Sequence, residues 1–144
     1  MIVRALLPAD YDRVIALWRR AGLETIRTSG RDAPEAFARE IESGSATVIG
    51  AEDSVGTLVG VVVATHDGRK GWINRLAIDP ERRREALGRA LVAEAEAALA
   101  EQGIRVIAAL VEGDNDASLA FFQAAGYALH PDVRYLSKRA APDA

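Results

Sequence analysis

WINRLAIDPERRREALGRALVAEAEAALAEQGIRVIAALV, residues 72–111, holds two apolar runs with a helix-patterned segment between them. WINRLAI (72–78) reads as a strand, and Asp79-Pro80 ends it because proline cannot continue a hydrogen-bonded ladder. Leu87, Leu91, Ala95 and Leu99 recur every four residues. With Val92 they predict the buried stripe of a helix over 87–101, closed by Gly103. RVIAALV (105–111) reads as a buried strand. Strand, helix and strand in this order predict a parallel pair joined by a crossover.

The flanks extend the pattern. Upstream, IVRALL (2–7) reads as a strand. PADYDRVIALWRRAG (8–22) reads as a helix with Pro8 in its first turn, Val14, Leu17 and Trp18 on one face, and Gly22 as its stop. LETIRTSGRDAP (23–34) reads as an irregular loop, and EAFAREIES (35–43) as a short helix ending at Gly44. ATVIGAE (46–52) and TLVGVVVATH (57–66) predict an antiparallel hairpin, and DGRKG (67–71) a second turn into the strand at Trp72. Downstream, NDASLAFFQAA (115–125) predicts a helix with Asn115 as N-cap and Gly126 as stop. YALH (127–130) and VRYLSKR (133–139) read as two short closing strands, and residues 140–144 as a frayed tail. The whole predicts one α+β domain over 1–139. Its mixed, mostly antiparallel sheet has about six to seven strands, flanked by about four helices.

Composition narrows the function. The chain has 144 residues, 49% hydrophobic and 27% charged, which suits one packed domain. A net charge of −3 argues against a general nucleic-acid binder. With no cysteine, disulfides, zinc-thiolate sites and a cysteine nucleophile are excluded. The opening MIVRALLPADYD does not read as a signal peptide, and LVGVVVA (58–64) is far short of the ~20 residues a membrane span needs. A cytoplasmic protein with no membrane or nucleic-acid partner and no metal site is expected.

Against that acidic background, residues 69–89 carry seven basic side chains (Arg69, Lys70, Arg75, Arg82, Arg83, Arg84, Arg89) and three acidic ones (Asp79, Glu81, Glu85). The helix predicted from Leu87 starts beside them. Its first N–H groups lack internal partners and sit at the positive end of the helix dipole, which together suit an anion such as phosphate. Gly88 would let such a group approach the backbone. Neither the P-loop pattern nor the dinucleotide fingerprint is present.

LAIDPERRREALGRAL (76–91) resembles the acetyl-CoA motif of the GNAT N-acetyltransferases, with Arg83 at its Arg/Gln position and Gly88 at its last glycine. VEGDNDASLAFFQAAGY (111–127) resembles the second signature of that family, with Asn115, Ala117 and Gly126-Tyr127 in place. The likeness is to the small single-domain bacterial members and covers nearly the whole chain. It implies a central parallel pair that splays apart and an acetyl-CoA (CoA) cofactor lying in the gap. Backbone groups of Leu76, Ala77 and Ile78 would pair with the pantetheine arm. The turn formed by Arg83, Arg84, Glu85, Ala86, Leu87, Gly88 and Arg89 would hold the pyrophosphate. Asn115 would contact the pantetheine, and Phe121 and Phe122 would line the arm or pack in the core. Two positions depart from the family. Ala86 stands where a glycine is usual, and a left-handed conformation there would cost roughly 1 kcal/mol. Phe122 replaces a tyrosine that protonates the leaving thiolate in many members.

The implied reaction is direct attack of an amine on the thioester. A lysine amine (pKa ~10.4) needs more help from a base than an α-amine (pKa ~7.7–8.0). Glu112 at the end of the 105–111 strand, His66 at a strand end and Glu24 in the 23–34 loop are the candidate bases, and Tyr135 is a candidate proton donor. Arg27 and Arg31, with Thr25 and Thr28, place positive charge in the loop that would cover the acceptor. The expected activity is an acyl-CoA-dependent N-acetyltransferase acting on a small-molecule or peptide amine. The alternative is a catalytically weak acyl-CoA-binding module. Protein N-terminus, lysine, polyamine, amino acid and drug amine all stay open as acceptors, as does a homodimer.

Overall fold

The computed structural model describes residues 1–83 and 86–144. Its elements run β1 (Ile2–Ala5), α1 (Tyr11–Arg20), α2 (Pro34–Ser43), β2 (Ala46–Glu52), β3 (Leu58–His66), β4 (Lys70–Ile78), α3 (Leu87–Glu101), β5 (Val106–Ala109) and α4 (Asp116–Ala124). Single 3-10 turns at Pro8–Asp10 and Pro80–Arg82 lead towards α1 and α3.

The strands form one sheet in sequence order, β1-β2-β3-β4-β5. The first three pairings are antiparallel, and β4 with β5 is parallel, as the strand-helix-strand reading requires. Both faces are covered. Leu6, Leu17, Trp18, Phe37, Val61 and Val63 join α1 and α2 to one face. Val62, Ala64, Ile73, Leu91, Ala95 and Leu99 join α3 to the other. Burial on both faces explains why β3 reads VGVVVA instead of alternating apolar with polar. Each such fully buried Val or Leu contributes about 1.5–3 kcal/mol relative to exposure.

Helix ends follow the sequence signals. Gly44 stops α2 at φ 80°, a conformation glycine adopts without strain. Asn115 Oδ1 accepts from the Ser118 N–H at 3.0 Å and caps α4.

The strand count differs from the expected six to seven: the described residues form five. YALH and VRYLSKR are not strands. Alternating composition is not enough, because a strand also needs an edge to pair with and a face to bury. Here Leu129, Val133, Tyr135 and Leu136 all remain exposed, and part of the segment runs along a cleft instead. The end strands are also shorter than read, β1 ending at Ala5 and β5 spanning only Val106–Ala109.

Candidate active site

The site begins where the parallel pair parts. β4 and β5 are paired over four positions, from Lys70↔Val106 to Ile73↔Ala109. β4 then continues to Ile78, while β5 has ended at Ala109. Residues 74–78 therefore present a backbone edge that β5 does not fill. A bulge accompanies the parting. Val61 pairs with Ala77 and Val63 with Asn74, so Arg75 and Leu76 lie opposite Val62 alone. Arg75 takes φ 45°, which strains a side-chain-bearing residue. Its guanidinium is well held in compensation. It donates to Asp32 Oδ1 at 2.6 Å and to Thr25 O at 3.0 Å, and lies 4.8 Å from the centroid of the Trp18 ring.

At the lower end of this edge stands the N-terminus of α3. Asp79 accepts from the Glu81 N–H at 3.0 Å and closes the turn after β4. Ala86, the residue preceding α3, has φ 58° and ψ 20°. This is the left-handed conformation whose cost to alanine was considered above. Arg84 and Glu85, expected at the anion site, lie outside the described residues. The remaining arginines spread over the surface: Arg82 lies 3.4 Å from Asp53, Arg83 Nη2 donates to Ala21 O, and Arg89 Nη2 donates to Ala124 O. Arg83 and Arg89 are exposed.

Gly88 has a packing reason of its own. A Cβ there would lie 3.1 Å from Cε1 of Phe121. Phe121 and Phe122 meet edge to face at 5.1 Å, and Phe122 meets Tyr127 at 5.2 Å. The row packs against the α3 side of the core. The Tyr127 hydroxyl donates to Glu96 at 2.8 Å, and burial together with that carboxylate pushes its pKa far up.

On the other side of the parting lies a cleft of about 900 Å³. Tyr11 and Trp18 of α1, Phe37 and Glu40 of α2, Thr65 of β3, and Ile73, Asn74 and Arg75 of β4 line it. The loop 23–34 contributes Thr25, Arg31 and Asp32, and the C-terminal segment contributes Tyr135 and Ser137–Ala140. Leu110–Gly113, just past β5, close it. Ala144 O accepts from both Arg31 and Arg139 at 2.8 Å, joining the segment to the loop.

Two of the four catalytic candidates, Glu112 and Tyr135, are brought to this cleft. Glu24 and His66 are not among its lining residues. His66 sits at the β3–β4 turn with both ring nitrogens engaged: Nδ1 accepts from the Gly68 N–H at 3.1 Å, and Nε2 lies 2.7 Å from Gln102 Oε1. That pattern places the ring proton on Nε2. In the loop, Arg27 donates to Glu24 O and Ile26 O, and its N–H donates to Asp32 Oδ2 at 2.7 Å.

Glu40 and Asn74 were not anticipated from the sequence. Desolvation, followed by repulsion from Asp32, raises the Glu40 pKa, with Arg75 and Arg39 opposing the shift. Glu40 nevertheless lies on the exposed side of α2. For Asn74 a signal existed: Asn74-Arg75 interrupts the apolar strand WINRLAI.

A mixed five-stranded sheet whose parallel pair opens beside a helix N-terminus defines the α+β fold. Among the described residues the pair lies at the end of the strand order, not at the centre expected from the resemblance, because no closing strands pair beyond β5. Residues 11–127 match the Acetyltransferase (GNAT) family, and the chain belongs to it. Acetyltransferase SG1711 of Sodalis glossinidius is 28% identical over 143 residues, which is 99% of this chain and 98% of that protein. Among solved structures, AAC(6')-Iy in complex with the bisubstrate analogue CoA-S-monomethyl-acetylneamine superposes with a TM-score of 0.78 at 18% identity, over 96% of this chain and 97% of that one. The PaiA N-acetyltransferase of Thermoplasma acidophilum in complex with coenzyme A gives 0.75 at 20% identity, over 90% of each chain. At these identities the structural likeness speaks for the fold. Among the described residues, no helix is long and apolar enough to cross a membrane.

Proposed function

We propose that the protein transfers an acetyl group from acetyl-CoA to an amine. The observation that carries this reading is the free edge of β4 over residues 74–78, which starts at the acceptor-side cleft and runs to the start of α3. An extended pantetheine arm fits such an edge as an added strand, with Leu76, Ala77 and Ile78 offering backbone groups. The N-terminal turn of α3 suits the pyrophosphate. Ala86, Leu87 and Gly88 lie at its orphan N–H groups, and Arg83 and Arg89 stand exposed nearby. Arg84 and Glu85 belong to the same proposed turn. Asn115 caps α4 through its side-chain oxygen, which leaves its amide nitrogen to meet the arm. Phe121 and Phe122 would wall the gap from the α4 side.

Acetyl-CoA, when bound, supplies a thioester whose carbon accepts the amine and whose sulfur departs as thiolate. The protein's part is to position that amine and remove its proton. Glu112 is the proposed base, because it lines the cleft where the strands have parted. Tyr135, in the same cleft, is the proposed donor to the thiolate.

A catalytically weak acyl-CoA-binding module is the second reading. It is favoured by Phe122, which has no proton to give, and by the engagement of the nearby Tyr127 hydroxyl with Glu96. Calorimetric titration of acetyl-CoA, with CoA and ATP as controls, followed by thiol release with a panel of amines, separates the two. Binding with turnover supports the transferase, and binding without turnover on any amine supports the module. No binding of either CoA form overturns both.

A further inference from the structure

The sheet holds residues 75 and 76 less firmly than their neighbours. β4 pairs with β5 only as far as Ile73. On the β3 side Asn74 is in register with Val63 and Ala77 with Val61, while Arg75 and Leu76 are in register with no residue among those described. Arg75 nevertheless keeps φ 45°. A left-handed backbone at a residue with a side chain persists only where its surroundings over-determine it. The ladder does not do so here, which leaves the task to the Arg75 side chain.

That side chain is fixed on three sides. Nη1 donates to Asp32 Oδ1 at 2.6 Å, Nη2 donates to Thr25 O at 3.0 Å, and the Trp18 ring centroid lies 4.8 Å from the guanidinium. Trp18 is 3% exposed and belongs to the core between α1 and the sheet, so it offers the cation a rigid face. Thr25 and Asp32 stand near opposite ends of the 23–34 loop, and the one guanidinium bridges them. The ion pair is shielded, with the Arg75 and Asp32 side chains 17% and 12% exposed, and a charge-assisted bond is stronger than a neutral one.

Asp32 is the hub on the loop side. Its Oδ2 accepts from the Arg27 N–H at 2.7 Å, its own N–H donates to Arg27 O at 2.9 Å, and its carbonyl accepts from the Tyr11 hydroxyl at 2.5 Å. The first helix, the loop and the β4 bulge therefore meet at one residue. A carboxylate is required there, because each of its oxygens takes a different donor. An amide of the same shape offers only one accepting atom, so one of the two bonds would be lost.

We propose that Asp32 and Arg75 are positioning residues that couple the two sides of the site. Together they hold the β4 bulge in its strained form and so set the Leu76–Ile78 edge offered to the cofactor arm. The same bonds fix the loop that brings Thr25 and Asp32 to the cleft. Loop and edge are one unit, so a ligand that orders the edge also orders the loop, and the reverse holds equally. Both residues act through the backbone they hold. The identity of the ligand rests on the transferase reading above, whereas the clamp itself does not.

The test is calorimetric titration of CoA into wild type, Asp32→Asn, Arg75→Gly, Arg75→Ala and the Asp32→Asn/Arg75→Gly double variant, at a temperature where circular dichroism shows each folded. Asp32→Asn should raise the CoA Kd about fivefold or more, the share of the strain it no longer offsets. Arg75→Ala should bind CoA about fivefold more weakly than Arg75→Gly, because glycine takes φ 45° without strain and alanine does not. In the Arg75→Gly background Asp32→Asn should change the Kd no further, since it acts through Arg75. In wild type, added CoA should slow hydrogen exchange in peptides from the 23–34 loop, and in Asp32→Asn it should not. An unchanged Kd in Asp32→Asn, the same loss in both backgrounds, equal binding by Arg75→Ala and Arg75→Gly, or a wild-type loop unmoved by CoA each overturns the proposal. If Asp32→Asn does not fold, the comparison of the two Arg75 variants decides. If wild type binds no CoA, the transferase reading fails and the clamp is judged without ligand: faster exchange over residues 74–78 in Asp32→Asn than in wild type supports it, and equal exchange refutes it.

Discussion

Replacing Ala86 by glycine should stabilise the protein, although alanine-to-glycine changes normally do the reverse. Ala86 immediately precedes α3 with φ 58° and ψ 20°, and its side chain makes no capping hydrogen bond. An L-residue in this region carries about 1–2 kcal/mol of strain, which glycine removes. Against that stands the greater freedom glycine gives the unfolded chain, about 0.4–1 kcal/mol. The balance is a gain of about 0.8 kcal/mol, or roughly 2–3 °C in Tm for a chain of this size. Ala93→Gly is the matching control. It is exposed in the middle of α3, where glycine should cost about 1 kcal/mol with nothing recovered. Urea titration and thermal melts of wild type and both variants measure the difference directly. If Ala86→Gly destabilises as Ala93→Gly does, residue 86 is not left-handed in solution and the strain argument is wrong. If the strain also loosens the anion turn, Ala86→Gly should tighten CoA binding in the calorimeter.

Gly88→Glu should abolish CoA binding while the fold survives, because it sets a carboxylate at the proposed pyrophosphate turn and crowds the Phe121 ring, 3.1 Å from the Cβ position; circular dichroism checks the fold, and unchanged affinity would remove the pyrophosphate from that turn. Tyr127→Phe should cost about 1 kcal/mol at neutral pH through the lost bond to Glu96. Burial and Glu96 raise the Tyr127 pKa above its ordinary 10.0, so the unfolded chain ionises first and stability falls as pH rises above about 10; the variant should lack that share of the alkaline decline in urea midpoints. At the acid end, hydrogen bonds from Arg4 and then Arg13 lower the Glu52 pKa. Burial pushes Asp10 up, but the Leu7 N–H, Arg4 and Arg13 outweigh it and hold its pKa below the ordinary value. Both carboxylates have depressed folded values, so their contribution is complete above the ordinary 4.5 and 3.8 and disappears as pH falls through the folded values. Glu52→Gln should therefore be less stable than wild type at pH 7 and lose less on acidification from pH 5 to 3; parallel acid curves would refute the linkage.

How much of this was legible in the sequence depends on the distance over which each feature is determined. The four-residue recurrence of Leu87, Leu91, Ala95 and Leu99 is a local fact, and α3 lies where it predicts. Caps are local too, so Asn115 and Gly44 were readable as the start of α4 and the stop of α2. The left-handed Ala86 could be suspected only through the resemblance, because a glycine usually stands at that place in the family motif. VRYLSKR failed as a strand for the opposite reason: its composition is local, but a partner edge is not, and the cleft takes Tyr135 and Ser137–Ala140 instead.

The candidate site divides along the same line. Its proposed cofactor side centres on a contiguous stretch of sequence, so composition and a family resemblance could point to it. Its proposed acceptor side, the cleft, draws on α1, α2, the 23–34 loop, β3, β4 and the C-terminal segment. No spacing rule links Glu40 to Asn74, because their relation is created by the packing of α2 against the sheet and by the bulge at Arg75. One local trace of that bulge did exist. An apolar strand that carries Asn and Arg side by side breaks its own pattern, and such breaks are expected where function, not packing, selects the residue. Asn74 and Arg75 fit that description. Arg75 keeps a strained backbone and is bound to Asp32 and Trp18, which fixes one wall of the cleft. Asn74 is anchored by its nitrogen and leaves its oxygen open. The interruption in WINRLAI therefore marks both the residue that fixes one wall of the cleft and the neighbour that lines it.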